Sequence, residues 1–330
     1  MRTRTIGARA LLAVALGGAA LALLQACLDQ PKESLRIGIN AWPPFELLYL
    51  AQEKGFFKET GVDIDLCDFS SYTGILRAYH QGNIDGFFAT LNEIMITENF
   101  QDLPAVVLVA DYSYGADAVV ARDGIASPAR LRGRRIAFEE SALGSYMLER
   151  VLEVGGLGMG EVRAINKLPE EGAQAFRRGE VDAVITYEPD LGKLLRDRGA
   201  HIVFSSREIP GEIVDVMALR RSMLERRAGE VRRIVRAWFK AQDELKEHPE
   251  ASAALMAKRQ GVTVEEFLQG LKGAHIPDLE ENRRLLGTVD QPGPLHQTVE
   301  RLGNFLVRHN LAKTPASGPD LFHPEIVEPE

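Results

Sequence analysis

The feature that most constrains this chain is an internal repeat. Ala78-Tyr79-His80-Gln81-Gly82-Asn83-Ile84-Asp85-Gly86-Phe87-Phe88 returns as Ala175-Phe176-Arg177-Arg178-Gly179-Glu180-Val181-Asp182-Ala183-Val184-Ile185. Arg36-Ile37-Gly38-Ile39-Asn40 returns as Arg135-Ile136-Ala137-Phe138-Glu139, and Gly61 returns as Gly160. The spacings are 97 to 99 residues and the order is kept. A single Gly-x-Ile/Val-Asp match carries little, but three ordered matches at similar spacings require two similarly built units. In each, the glycine ends a helix and the aspartate sits at the mouth of the next strand.

Strands and helices alternate around the repeat. Apolar runs predict strands at 35–40, 62–67, 84–89 and from 106 onward, with helices over 45–58 and 75–80 between them. This is the pattern of α/β layers on a mainly parallel sheet. A strand over 213–219 follows the second unit, then helices over 222–247, 251–259, 263–271 and 294–309. The last twenty residues carry Pro315, Pro319, Pro324 and Pro329 and read as a loosely packed tail. Two α/β lobes imply a cleft, and ligands of such sheets bind beyond the carboxyl ends of the strands. Those ends are 40–42, 68–73, 89–92, 139–145 and 186–188. By the repeat, Thr90 corresponds to Tyr187, and the two should face each other across the cleft.

The net charge of −8, with no basic block, excludes a nucleic-acid footprint. Arg2, Arg4 and Arg9 followed by the apolar run 10–26 form a secretory signal peptide. Its end, Leu24-Gln25-Ala26-Cys27, resembles a bacterial lipobox, with cleavage before a cysteine that takes a lipid. The run is too short, and too broken by Gly17-Gly18, for a spanning helix of about 20 residues. Cys67 is then the remaining thiol and reads as a small buried hydrophobe in a strand.

No enzyme constellation stands out. The seven histidines are scattered, with no metal-ligand spacing. Gly155-Gly156-Leu157-Gly158-Met159-Gly160 follows a helix, where a dinucleotide loop follows a strand, so it reads as a helix stop. Ser145 lacks the hydrolase frame Gly-x-Ser-x-Gly. Asp63 and Asp65 alternate onto one strand face, toward solvent, and Asp68 does not turn them into a calcium ladder.

Several stretches resemble the nitrate/sulfonate/taurine-binding family of ABC-importer solute-binding lipoproteins, which also holds thiamine-pyrimidine-precursor binders and pyrimidine synthases. They are Trp42-Pro43-Pro44 with 51–61, Asp111-Tyr112-Ser113-Tyr114-Gly115-Ala116-Asp117, Leu131-Arg132-Gly133-Arg134-Arg135-Ile136-Ala137, 179–183 and Tyr187-Glu188-Pro189. The resemblance implies a two-lobed periplasmic-binding-protein fold of type II character, with a ligand cleft between the lobes and two hinge crossings. It places a signal peptide at 1–26, a linker at 27–34, lobe one at 35–113 plus 216–330, and lobe two at 114–215. The crossings fall near 112–116 and 215–219. It also implies a monomer without cofactor or metal, anchored by palmitate on Cys27, that delivers a small solute to an ABC permease and its ATPase. The rival readings are a pyrimidine-synthase-like enzyme on the same fold, which the lack of a cysteine cluster opposes, and a ligand-sensing ectodomain.

The candidate ligand-binding residues follow from the strand ends. Trp42 would stack on or wall off a ligand, or else pin its loop in the core. Thr90 and Tyr187 would hydrogen-bond from opposite walls. Asp111 and Asp117 would accept from a ligand amine or hydroxyl, or brace the hinge, with Ser113 and Gly115 allowing close approach. Ser141 and Ser145, with Glu139 before them, open a helix in lobe two, and Ser71 and Thr73 play that part in lobe one. Glu188 corresponds to Leu91, so the fold does not require its charge; the alternative is a carboxylate steadying its own helix. Asp215 stands at the return crossing, as ligand contact or hinge brace. Acids abound at these ends and lysine is missing from them, which points to a ligand bearing an amine or heterocyclic amine, or a zwitterion such as an amino-sulfonate.

Overall fold

The computed structural model describes residues 34–96, 104–313 and 321–328. The expected signal peptide, Cys27 and all of the expected linker but Ser34 lie outside the described residues. The chain runs through β1 (Leu35–Asn40), α1 (Glu46–Glu53), α2 (Phe56–Thr60), β2 (Ile64–Phe69), α3 (Tyr72–His80), β3 (Gly86–Thr90), α4 (Leu91–Met95) and β4 (Pro104–Ser113). A second unit holds β5 (Asp117–Ala121), β6 (Arg135–Phe138), α5 (Ala142–Gly155), β7 (Arg163–Asn166), α6 (Pro169–Arg177), β8 (Ala183–Tyr187), α7 (Asp190–Leu195) and β9 (His201–Ser205). The chain then returns through β10 (Val214–Arg220) to α8 (Arg221–Glu247), α9 (Pro249–Gln260), α10 (Val264–Leu271), β11 (Ala274–His275), α11 (Leu279–Leu286) and α12 (Leu295–Arg308).

The repeat becomes topology. One sheet is ordered β2-β1-β3-β10-β4-β11 and the other β7-β6-β8-β5-β9, so β6, β7 and β8 take the places of β1, β2 and β3. The sheets are mixed, not mainly parallel. β1 runs parallel to β2 and β3, as β6 does to β7 and β8, but β10 and β5 run antiparallel to both their neighbours. A strand arriving from the other lobe enters at the carboxyl ends of the parallel strands, so it must run back against them.

Two segments join the sheets. Tyr114–Ala116 leads from β4 to β5, with Gly115 at φ 110°, a backbone state that side chains disfavour. Residues 206–213 lead from β9 to β10. The return crossing therefore precedes the expected 215–219 stretch, which is already paired with β3 and β4 in the first sheet. Ser206 ties the crossings together: its Oγ lies 2.8 Å from Ser113 Oγ and accepts the Gly115 N–H at 2.5 Å.

α8 closes the first lobe. Val231, Ile234, Val235, Trp238, Ala241 and Leu245 repeat at helical spacing and are buried. Trp238 stacks on Phe88 at 5.3 Å, and Phe45 meets the same ring edge-on at 5.2 Å. Three expectations change here. The helix expected over 45–58 is broken at Gly55, φ 74°, into α1 and α2. α11 was not anticipated. The tail is not loose where it is described: Leu321, Phe322, Ile326 and Val327 are buried, and the His323 N–H bonds the Val106 carbonyl at 2.9 Å. Cys67 is only half-buried, because β2 is an edge strand.

The repeated aspartate has a specific task. The Asp85 carboxylate accepts the Arg36 backbone N–H at 3.0 Å and the Arg36 side chain at 3.0 and 2.9 Å, and that guanidinium also donates to the Gly82 carbonyl at 2.9 Å. Asp182, Arg135 and Gly179 repeat every bond, at 2.9, 3.1, 2.9 and 3.0 Å. Each clamp locks the start of the first strand to the turn before the third. Asp85→Ala strands a buried N–H and should cost about 1–3 kcal/mol in urea unfolding. Asp182→Ala should cost less, because the Asp182 side chain is 21% exposed against 10% for Asp85.

Candidate functional site

The strand ends of both lobes converge. Tyr187, from the end of β8, reaches the first lobe, where its hydroxyl accepts from Asn40 Nδ2 at 3.2 Å. Its ring stands edge-on to Trp42 at 6.1 Å and tilted to Tyr72 at 6.2 Å. Trp42 is buried and donates its Nε1–H to Asp111 at 3.0 Å, so the indole is fixed by a carboxylate. Asp111 pairs with Asp215 across the β4–β10 ladder, next to an irregularity at 215/216. Their side chains are hydrogen-bonded to each other. Tyr72 also donates to Asp215, at 3.5 Å. Asp215 is thus part of a carboxyl–carboxylate pair inside the first sheet.

Asp117 opens β5 just past the crossing, buried and hydrogen-bonded to Ser113. Two further carboxylates bridge the lobes. Glu139, after β6, accepts the Thr73 N–H of α3 at 3.0 Å, and Glu93, in α4, accepts the Leu143 N–H of α5 at 2.9 Å. Ser71 and Ser141 cap those helices, each accepting an N–H at 3.1 Å, from Gly74 and Gly144. At Gly144 a side chain would collide with the Glu139 carbonyl, so the helix end can approach this closely only as glycine. Thr73 pairs its hydroxyl with Ser71 at 3.0 Å, and Ser145 lies half-buried one turn into α5.

Burial is the main cause of raised carboxyl pKa values here. It lifts Glu93 and Asp117 to about 7 against weaker opposing hydrogen bonds, and raises Glu139 as well. Asp111 and Asp215 are both raised by burial, Asp215 further by the adjacent Asp111 charge. Among the described residues, no lysine or arginine is one of the main groups acting on these five carboxyls. Several of the buried polar atoms without a partner among the described residues lie in the same region: Asn40 Oδ1, Thr90 Oγ1, both amide atoms of Asn92, and Glu93 Oε2. Native folds leave few such atoms.

Of the anticipated residues, Trp42, Ser71, Thr73, Thr90, Asp111, Ser113, Asp117, Glu139, Ser141, Tyr187 and Asp215 lie at this junction. Glu188 turns away to accept the Gly192 N–H at 3.0 Å in the first turn of α7. It lines a separate groove of about 600 Å³ with Gly115, Ala116, Arg196 and Gly270. Asn40, Tyr72, Asn92 and Glu93 were missed. All four sit within three residues of a strand end, so the strand-end signal was there, and Glu93 needed only one more helical position.

These acids set a pH dependence. Their unfolded values lie near 4 and their folded values are raised, so the folded protein holds extra protons between about pH 4 and 7. Ligand-free stability should therefore fall as pH rises through that window and level off above it. Glu46, lifted to about 7 by burial, adds to the slope from elsewhere. Asp85, which burial would raise but Arg36 holds low, and Asp182, held low by Arg135, act only below about pH 4. Thermal melts from pH 5 to 8 should show a declining Tm, and Asp117→Asn should flatten the decline.

The relatives agree with this architecture. The chain is 23% identical over 272 residues to the taurine-binding periplasmic protein of Escherichia coli strain K12, covering 80% of this chain and 83% of that protein. It superposes on the alkanesulfonate-binding protein SsuA of Xanthomonas axonopodis pv. citri bound to MOPS, with TM-score 0.73 and 18% identity, over 89% of this chain and 99% of that one. It also superposes on the desulfurization enzyme DszB, with TM-score 0.64 and 21% identity, over 90% and 98%. The fold is the two-lobed α/β fold of periplasmic binding proteins. The sequence pattern of the NMT1/THI5-like family matches residues 42–252, and the chain belongs to that family.

Proposed function

We propose that this protein is the extracytoplasmic solute-binding component of an ABC importer, capturing a small amine-bearing solute between its lobes. The observation that carries the reading is the convergence of Glu93, Asp111, Asp117, Glu139 and Asp215 on one buried junction without a basic neighbour. A ligand ammonium would supply the missing charge, and its N–H groups would meet Glu93 Oε2, Asn40 Oδ1 and Thr90 Oγ1. Trp42 and Tyr187 would wall the apolar part of the ligand. Ligand binding favours the closed arrangement of the hinged lobes, and the closed form docks on the permease, where ATP hydrolysis drives release. The lobes meet at strand ends and helix ends and also along the flank of α5, where Tyr146 stands edge-on to Phe305 of α12 at 4.5 Å and Glu149 pairs with His309 at 3.1 Å.

A lipid on Cys27 would hold the protein, as a monomer, on the outer face of a membrane. Among the described residues no helix is long and apolar enough to cross one. The DszB fold is the support for the enzyme reading, and the cysteine among the described residues, Cys67, sits on edge strand β2, its thiol raised by burial and by Asp65.

Two measurements test this. The detergent-purified full chain should gain several degrees in Tm with at least one of benzylamine, putrescine and an aminomethylpyrimidine, since a ligand at 1,000 times its Kd adds about 4.1 kcal/mol. Failure of every amine removes the amine-binding reading. Cys27→Ala should release the protein from the membrane fraction and abolish palmitate labelling; retention in the membrane would remove the anchor.

A further inference from the structure

Two helices of the site, α3 and α5, point their N-terminal ends at the lobe junction, and both ends are already taken. On α3 the Thr73 N–H donates to Glu139 of the second lobe, and on α5 the Leu143 N–H donates to Glu93 of the first. The bond is reciprocal: each lobe sends one carboxylate onto the other lobe's helix end. A helix N-terminus gathers unsatisfied N–H groups and a partial positive charge, which makes it the natural seat for a ligand's anionic group. Here protein carboxylates hold that seat on both walls.

A second, independent observation marks the same place as a ligand contact. Glu93 is fully buried, yet its Oε2 has no partner, and the neighbouring Asn92, Thr90 and Asn40 leave buried polar atoms free as well. Glu93 thus has one oxygen committed to the helix and one left over for a donor. Free acceptors outnumber free donors, since only the Asn92 amide and the Thr90 hydroxyl can donate. A metal ion fits poorly: among the described residues no three His, Cys, Asp or Glu side chains are grouped to hold one.

We propose that the cleft selects a small organic cation and rejects ligands carrying a sulfonate or other anionic group, because Glu139 and Glu93 already occupy the two helix ends that would hold the anion. Rejection works by charge and by position. An incoming anion meets five carboxyls and finds the ends of α3 and α5 taken, which is discrimination against a competitor as much as attraction of a partner. The inference rests on the solute-binding reading above. It narrows that reading to cations without an acid group, and separates this chain from relatives named for taurine and alkanesulfonates.

The experiment is isothermal titration of the detergent-purified full chain with putrescine and benzylamine as cations, taurine as zwitterion, and ethanesulfonate as anion. The expected result is binding of at least one cation, with taurine and ethanesulfonate at least 100-fold weaker. Glu139→Gln and Glu93→Gln, which keep an acceptor on each helix end but remove the charge, should each weaken the cation at least tenfold. Glu139→Ala, which frees the Thr73 N–H, should raise ethanesulfonate affinity at least tenfold. Circular dichroism and the melting curve establish that each variant is folded. Tight binding of taurine or ethanesulfonate by the unaltered chain overturns the inference and leaves the solute-binding reading standing. Unchanged cation affinity in both Gln variants overturns it too. No binding of any of the four probes overturns both.

Discussion

A carboxylate taken out of water must be paired, protonated or hydrogen-bonded. This chain takes out five at one junction and answers none of them with a lysine or arginine. Asp215 and Asp111 share a hydrogen bond inside the first sheet. Asp117 takes a bond from Ser113, and Glu93 and Glu139 take backbone N–H groups from the facing lobe. Each solution depends on another element being in place. The Glu93 and Glu139 bonds exist only while the lobes face each other, so lobe geometry and carboxyl electrostatics are one problem.

The crossings make that geometry. β4 and β10 run side by side into the hinge region, and their ladder sets Asp111 opposite Asp215. Asp117 begins the strand on the far side of Tyr114–Ala116. Three of the five acids therefore lie on the strands that carry the chain between lobes. Away from the cleft the molecule uses ordinary charge pairing. The two Arg–Asp clamps at 36/85 and 135/182 tie each sheet together at the end opposite the ligand ends. Paired acids secure the scaffold, and the five at the junction are held by burial, by one another and by N–H and O–H donors.

The repeat made the two-lobed α/β plan legible, since equivalent residues at similar spacings can only mean equivalent units. It also made the strand ends legible, and most of the junction follows from them. What it could not convey is strand direction at the crossings. Periodicity reports burial, and a strand reads the same run either way, so the antiparallel β5 and β10 were invisible. The meaning of the repeated Asp was hidden too: it reads as a strand-mouth residue until Arg36 and Arg135 are seen against it. Glu188 misled for the opposite reason. Its charge has no counterpart at Leu91, yet it serves α7 locally, as a first-turn carboxylate commonly does. Tail residues Leu321 and Phe322 were masked by the surrounding prolines, which report backbone restriction and say nothing of burial.

Scaffold and specificity part company at the helix ends. A helix N-terminus is a backbone feature, so it comes with the fold, and relatives of low identity can share it. A carboxylate seated on that N-terminus is a side-chain feature and can be gained or lost at one position. With Glu93 and Glu139 in place, the same pair of helix ends that could draw an anion instead holds two protein acids in line with Asp111 and Asp117. The fold then presents an inverted charge to its cleft without any change in topology. Function in such a family is read from the residues at the strand ends, and the shared architecture says only where to look.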